Sequence, residues 1–127
     1  MLIVKPILDK ETQKELGNIC GVTFNADALA FSAYIDEEIF GFCQFTVNGS
    51  IATLTDVRTL KNDFEAAFIM SRGALNYIDL CGFHTARCSK NAGDLTLLRS
   101  IGFKEIENDL FEINLSEEFT GKCTHCN

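Results

Sequence analysis

The stretch from Asp63 to Leu80 (DFEAAFIMSRGALNYIDL) constrains this chain most, because it reads as a long helix between two strands. Phe64, Ala67, Phe68, Leu75 and Ile78 fall on one helical face. Ala66, Ile69, Met70 and Tyr77 partly cover another. Such a helix is buried over much of its girth. Gly73-Ala74 permits close approach of a neighbouring element, and Cys81-Gly82 ends the run. The strand before it covers Ser50 to Val57, and the strand after it Phe83 to Cys88. Parallel neighbours need a long connection of this kind, so these two strands are expected to form one parallel pair.

The rest of the chain supplies the remaining elements. Met1 to Leu8 reads as a strand. Asp9 caps a polar helix that runs to about Cys20, where Gly17 and Gly21 weaken or stop it. Asn25 to Ala28 is a turn. Leu29, Phe31, Ala33 and Ile35 alternate with Ala30, Ser32 and Tyr34, the period of a strand. Asp36 to Glu38 is an acidic turn, followed by a Phe-rich strand from Ile39 to Val47. Asn48-Gly49 predicts a hairpin, since both residues accept positive φ. Ile51, Thr53, Thr55 and Val57 then share one strand face.

Asn91 to Gly102 predicts a second, shorter helix. Asn91 caps its start, and Asp94 puts negative charge in the first turn. Leu95, Leu98 and Ile101, with Leu97, form its apolar face. Gly102 ends it in a left-handed conformation, and Phe103 turns back onto the core. Phe103 to Glu107, an Asn108-Asp109 turn, and Leu110 to Leu115 make a terminal hairpin. The expected class is mixed α+β, a mostly antiparallel sheet of about seven strands flanked by helices. One domain covers residues 1–115, with a polar tail over 116–127.

Composition narrows the function classes. A chain of 127 residues with 11 Phe supports one packed core. The net charge of −7 disfavours nucleic acid and anionic membranes as partners, because both demand a basic patch. The longest apolar run is far shorter than the roughly 20 residues that span a bilayer. Met1 to Leu8 lacks the features of a signal peptide. The reading is a soluble cytoplasmic protein. Six cysteines are then expected as reduced thiols, with Cys43 and Cys81 as small core residues. Cys123-Thr124-His125-Cys126 is half of a zinc-site pattern. With no clear second half, it reads as a reduced tail, and no metal is expected.

The order Asn91, then Leu97-Leu98, then Gly102-Phe103 resembles the last helix of the GCN5-related N-acetyltransferases. The element order over about residues 1–115 resembles that family too. The resemblance implies a sheet whose fourth and fifth strands splay at the cofactor, acetyl-CoA. It implies transfer of an acetyl group to an amine, on a small molecule or a peptide. In the family the fourth strand runs through a Val-x-Pro-like stretch into a loop of the form Arg-x-x-Gly-x-Gly/Ala. Backbone N–H groups there hold the pyrophosphate. Aligned from Val57, this chain has Asn62-Asp63-Phe64-Glu65-Ala66-Ala67. The implied cofactor-binding residues are Val57, Asn62, Ala66, Ala67, Phe68 and Asn91.

Three departures accompany the likeness. Asn62 stands at the basic position and Glu65 at the first glycine. Two like charges about 4 Å apart repel by roughly 4 kcal/mol at an effective dielectric near 20, so acetyl-CoA binding is expected to be weak or absent. Arg58 and Lys61 are the cations that could offset it. Leu98 replaces the Tyr that commonly protonates the departing thiolate in the family. Asp56 is the best-placed candidate base, ahead of Glu37 and Glu38, although an Asp there is also a common turn acceptor. His84 and Cys88, four apart on the fifth strand, stand about 13 Å apart, too far for a thiol relay. The first helical region is short where the family has two helices. The acceptor site is therefore open, or completed by a second copy in a homodimer. The rival reading is a non-catalytic binding or regulatory module of the same fold. A redox or metal-sensing protein using the tail thiols ranks third.

Overall fold

Seven strands hydrogen-bond into a single sheet, in the order β1-β2-β3-β4-β5-β7-β6. They are β1 (Leu2–Pro6), β2 (Leu29–Ile35), β3 (Glu38–Asn48), β4 (Ile51–Thr59), β5 (Thr85–Ser89), β6 (Lys104–Glu107) and β7 (Leu110–Asn114). The helices are α1 (Lys10–Cys20), α2 (Phe64–Leu80) and α3 (Leu95–Ile101). This computed structural model describes residues 1–120, so the Cys123 and Cys126 motif lies outside the described residues. The β4–β5 pair is parallel, as the crossover through α2 predicts, and every other pair is antiparallel.

The parallel ladder is short. It runs from Ile51 opposite Thr85 to Leu54 opposite Cys88 and stops. β4 continues to Thr59 along β3 alone. At the same point β3 and β4 carry a bulge: Phe45 faces Leu54 and Gln44 faces Asp56, leaving Thr55 as the extra residue. A bulge bends its strand and increases the local twist. Past this point β4 has no strand partner on its β5 side among the described residues, because β5 ends at Ser89.

The helices start where side-chain oxygens satisfy their first N–H groups. Asp9 Oδ2 accepts from the Thr12 N–H of α1 at 3.0 Å, and Gly21 closes that helix at φ 78°. Asp63 Oδ1 accepts from the Ala66 N–H of α2 at 3.0 Å. The main core lies between the sheet and α2 with α3, around Phe45, Leu54, Met70, Ile78 and Leu98. A smaller core of Cys20, Val22, Ala30 and Phe42 lies under α1. Both faces of β2 are therefore covered. Ala30, Phe31, Ser32 and Ala33 are all buried in succession, where alternation alone marks one buried face.

Several expectations shift by a residue or a face. The β3–β4 turn is Gly49-Ser50, with Gly49 at φ 62°, while Asn48 stays in β3 opposite Ile51. Val57 does not share a face with Ile51 and Thr53 as expected: the bulge at Thr55 puts it on the buried face with Ala52 and Leu54. On α2 the buried stripe centres on Ala66, Ala67, Met70, Ala74 and Ile78, and Phe64 is half exposed. α3 begins at Leu95 with Asp94 as its cap, not Asn91, and Leu95 is exposed enough to leave the core to Leu97, Leu98 and Ile101. His84 precedes β5 rather than lying on it. Cys81 is exposed at the end of α2, not in the core. Past β7, Ser116–Thr120 forms a π-helical turn, and Glu118 reaches Arg72 of α2 at 3.9 Å.

Two glycines set how closely α2 meets the sheet. A Cβ on Gly41 of β3 would lie 2.6 Å from Met70 Sδ and 2.8 Å from the Arg58 carbonyl oxygen. On Gly73 it would meet only the Val4 side chain, at 3.2 Å. Gly41→Ala is expected to cost about 1–3 kcal/mol through overpacking. Gly73→Ala should cost clearly less, since a side chain can move where backbone cannot. Thermal unfolding followed by circular dichroism should rank the two variants in that order.

Candidate functional site

Where β4 leaves β5, the gap is bounded by the turn after β5 and by the starts of α2 and α3. A cleft of about 120 Å³ opens there, lined by Thr59, Asn62, Asp63, Phe64, Ala67, Asp94 and Leu97. Asn62 and Ala67 thus come together at the gap. Ala66 faces a separate shallow hollow with Leu2, Asp63, Glu65 and Ile69. Phe68 is half buried against the main core, with the Arg72 guanidinium 6.0 Å from its ring centroid. Asn91 is exposed, and its N–H donates to Ser89 Oγ at 3.3 Å.

Val57 sits at the gap itself, but its backbone is engaged. Its N–H donates to the Ala92 carbonyl at 2.7 Å. Arg58 Nη1 donates to the same carbonyl at 2.7 Å and to the Val57 carbonyl at 2.9 Å. Ala92 is buried, and a Cβ on Gly93 would touch Val57 Cβ at 3.3 Å. The turn after β5 therefore fills the space between the splayed strands.

The start of α2 is occupied by its own chemistry. Asp63 takes the Ala66 N–H, Glu65 adds a second acid in the first turn, and Asp94 lines the cleft from the α3 side. Acids at a helix N-terminus complement its dipole and repel a bound anion. Ligand pockets for molecules of drug size run to about 300–1,000 Å³, well above this cleft. In this conformation the residues do not fit coenzyme A. The cations do not offset the acids: Arg58 is committed to Ala92, and Lys61 lies with Asp36 and Glu38 around a hollow of about 220 Å³.

Asp56 projects to the opposite face of β4 from Val57, as strand neighbours do. Its carboxylate is held by three groups. The Thr55 hydroxyl lies 2.9 Å from Oδ2, Gln44 Nε2 donates to Oδ2 at 3.3 Å, and Arg58 Nη2 is 3.6 Å from Oδ1. Gln44 is buried, and its Oε1 has no partner among the described residues. Glu37 stands in the β2–β3 turn, where Asp36 and Glu37 take φ 51° and 72°. Leu98 is fully buried in the main core and packs there.

His84 Nδ1 lies 2.6 Å from the buried Asp79 carboxylate and tethers the end of α2 to the start of β5. No sequence spacing announces that pair, nor the Ala92 carbonyl on Val57, which is a backbone contact. Among the described residues no group of three or more His, Cys, Asp or Glu is placed to hold a metal. Burial pushes the Cys43 and Cys88 thiols up to about 12 and raises Cys20 as well. Thiolates do not form readily in such surroundings.

These thiols give a pH dependence with a definite sign. An unfolded thiol titrates near 9.0, and Cys43 and Cys88 titrate near 12 in the fold. Between those values the folded chain holds protons that the unfolded chain sheds. Their contribution to stability is complete below pH 9 and is lost as pH rises toward 12. Denaturant unfolding across that range should show the decline. Alkylation of the native protein, followed by peptide mapping, should modify Cys81 and spare Cys43 and Cys88.

No family model matches the sequence, and no curated protein matches it. Solved structures do match the fold. The IAA acetyltransferase from Bacillus cereus ATCC 14579 superposes with a TM-score of 0.70 at 12% identity, covering 88% of this chain and 97% of that one. The ribosomal-protein-S18-alanine N-acetyltransferase from Escherichia coli gives 0.68 at 12%, covering 91% and 94%. A GNAT family acetyltransferase from Brucella melitensis, solved in complex with acetyl-CoA, gives 0.64 at 16%, covering 90% and 88%. This chain has the fold of the GCN5-related N-acetyltransferases.

Proposed function

We propose that this chain is a weak, atypical N-acetyltransferase, taking an acyl group from a coenzyme A thioester and passing it to an amine. The observation that carries the reading is the short parallel β4–β5 ladder, ending at Leu54 and Cys88, with a cleft beyond it at the starts of α2 and α3. The Brucella melitensis neighbour, which shares this fold, is complexed with acetyl-CoA. In this reading Val57, Asn62 and Ala67 border the entry of the thioester, and Asp56 takes the proton from the acceptor amine. No tyrosine acid stands at position 98, so turnover is slow: general acid help is worth about 10² to 10⁴ in rate.

A second reading has its own support. Asp63 and Glu65 put two carboxylates at the start of α2, which supports a non-catalytic module that has lost coenzyme A. Calorimetric titration separates the two. Wild type is expected to bind acetyl-CoA in or above the high micromolar range, roughly −5 to −6 kcal/mol. Glu65→Gly should bind it more tightly. An acetyl-CoA-dependent assay for released thiol, over a panel of amines and peptides, should give slow turnover that falls in Asp56→Asn. No binding by wild type or Glu65→Gly, together with no turnover, leaves the non-catalytic module.

A further inference from the structure

The Ala92 carbonyl accepts two donors at once, the Val57 N–H and Arg58 Nη1, each at 2.7 Å. One donor is strand backbone and the other a guanidinium. Arg58 is itself steadied at Asp56, which is braced by Thr55 and by the buried Gln44. The line of contacts therefore runs from the core beneath α1, through the bulge of β4, to a turn lying across the gap. Gly93 allows that turn to lie flat on Val57, because any Cβ there meets Val57 Cβ at 3.3 Å and its carbonyl oxygen at 3.4 Å.

We propose that Arg58 is a latch. It holds the turn between β5 and α3 in the gap beside β4, so the site opens only when the Ala92 carbonyl is withdrawn. The latch follows from the geometry alone, and the proposed function supplies only the identity of the entrant, an acyl-CoA. When Ala92 leaves, the Val57 N–H and the Arg58 guanidinium lose their shared acceptor. Observed affinity is the affinity of the open form reduced by the fraction of molecules that are open. Weak binding in the closed protein and competent binding in the open one are thus compatible.

The latch makes a prediction opposite to simple electrostatics. Arg58→Ala removes a cation from an acid-lined cleft, which alone would weaken the binding of an anion. If Arg58 is a latch, the variant binds acetyl-CoA more tightly. A hydrogen bond from a charged donor is worth enough to change the open fraction by about tenfold or more.

The test measures Val57 amide hydrogen exchange by NMR on the full chain, with the Leu54 amide as an internal control, alongside calorimetric titration with acetyl-CoA. Arg58→Ala is expected to speed Val57 exchange about tenfold with Leu54 unchanged, and to tighten acetyl-CoA binding. Gly93→Ala, whose Cβ would crowd Val57 Cβ at 3.3 Å, should act in the same direction and covers the case in which Arg58→Ala fails to fold. Faster Val57 exchange with no acetyl-CoA binding in any form upholds the latch and overturns the acyl-CoA reading. Unchanged Val57 exchange in the folded variants, or weaker acetyl-CoA binding in Arg58→Ala, overturns the latch.

Discussion

One surplus residue, Thr55, organises the centre of this protein. Opposite it the ladder of β3 skips, so the faces of β4 exchange and Val57 turns into the core while Asp56 turns out of it. Just before the bulge the parallel pairing stops at Leu54 and Cys88, one residue short of the end of β5 at Ser89. Beyond it β4 runs on to Thr59 beside β3 alone, towards the cleft at the start of α2. The turn after β5 then lies over this stretch, with the Ala92 carbonyl on the Val57 N–H.

The response is local and polar. A strand edge opened inside a sheet leaves backbone donors without partners, and buried donors left so are costly. The chain answers with its own carbonyl at Ala92, and reinforces it with Arg58. The helix start beside the gap is answered likewise, by the Asp63 carboxylate. Neighbours of the same fold share the architecture at 9–17% identity, so the sheet tolerates nearly complete replacement of the residues that build it.

The parts of this fold legible in the sequence are those written by periodicity and by end signals. The α2 crossover, the Asp9 cap, the Asn108-Asp109 turn and the parallel pair follow from pattern and connection length. Periodicity misses the bulge although it leaves a trace: Thr55-Asp56 puts two polar residues between Leu54 and Val57, a break in the period-2 alternation. Strict alternation places Val57 on the face of Ile51 and Thr53, whereas it shares the buried face of Ala52 and Leu54. Asn91 and Asp94 are both good caps by residue type, and α3 uses Asp94, whose Oδ2 accepts from the Leu97 N–H. At the site, the acids of the helix start were readable from their positions. The occupied gap was not, since its principal group is a peptide carbonyl that every residue carries.

The self-capped start of α2 has a consequence for how this protein meets its surroundings. A helix that relies on a bound anion is only partly stable until the anion arrives, so its folding is linked to ligand concentration. Here Asp63 already supplies the missing acceptor from within the chain. The start of α2 thus has its first acceptor without a bound anion, and that helix end does not wait on the concentration of one.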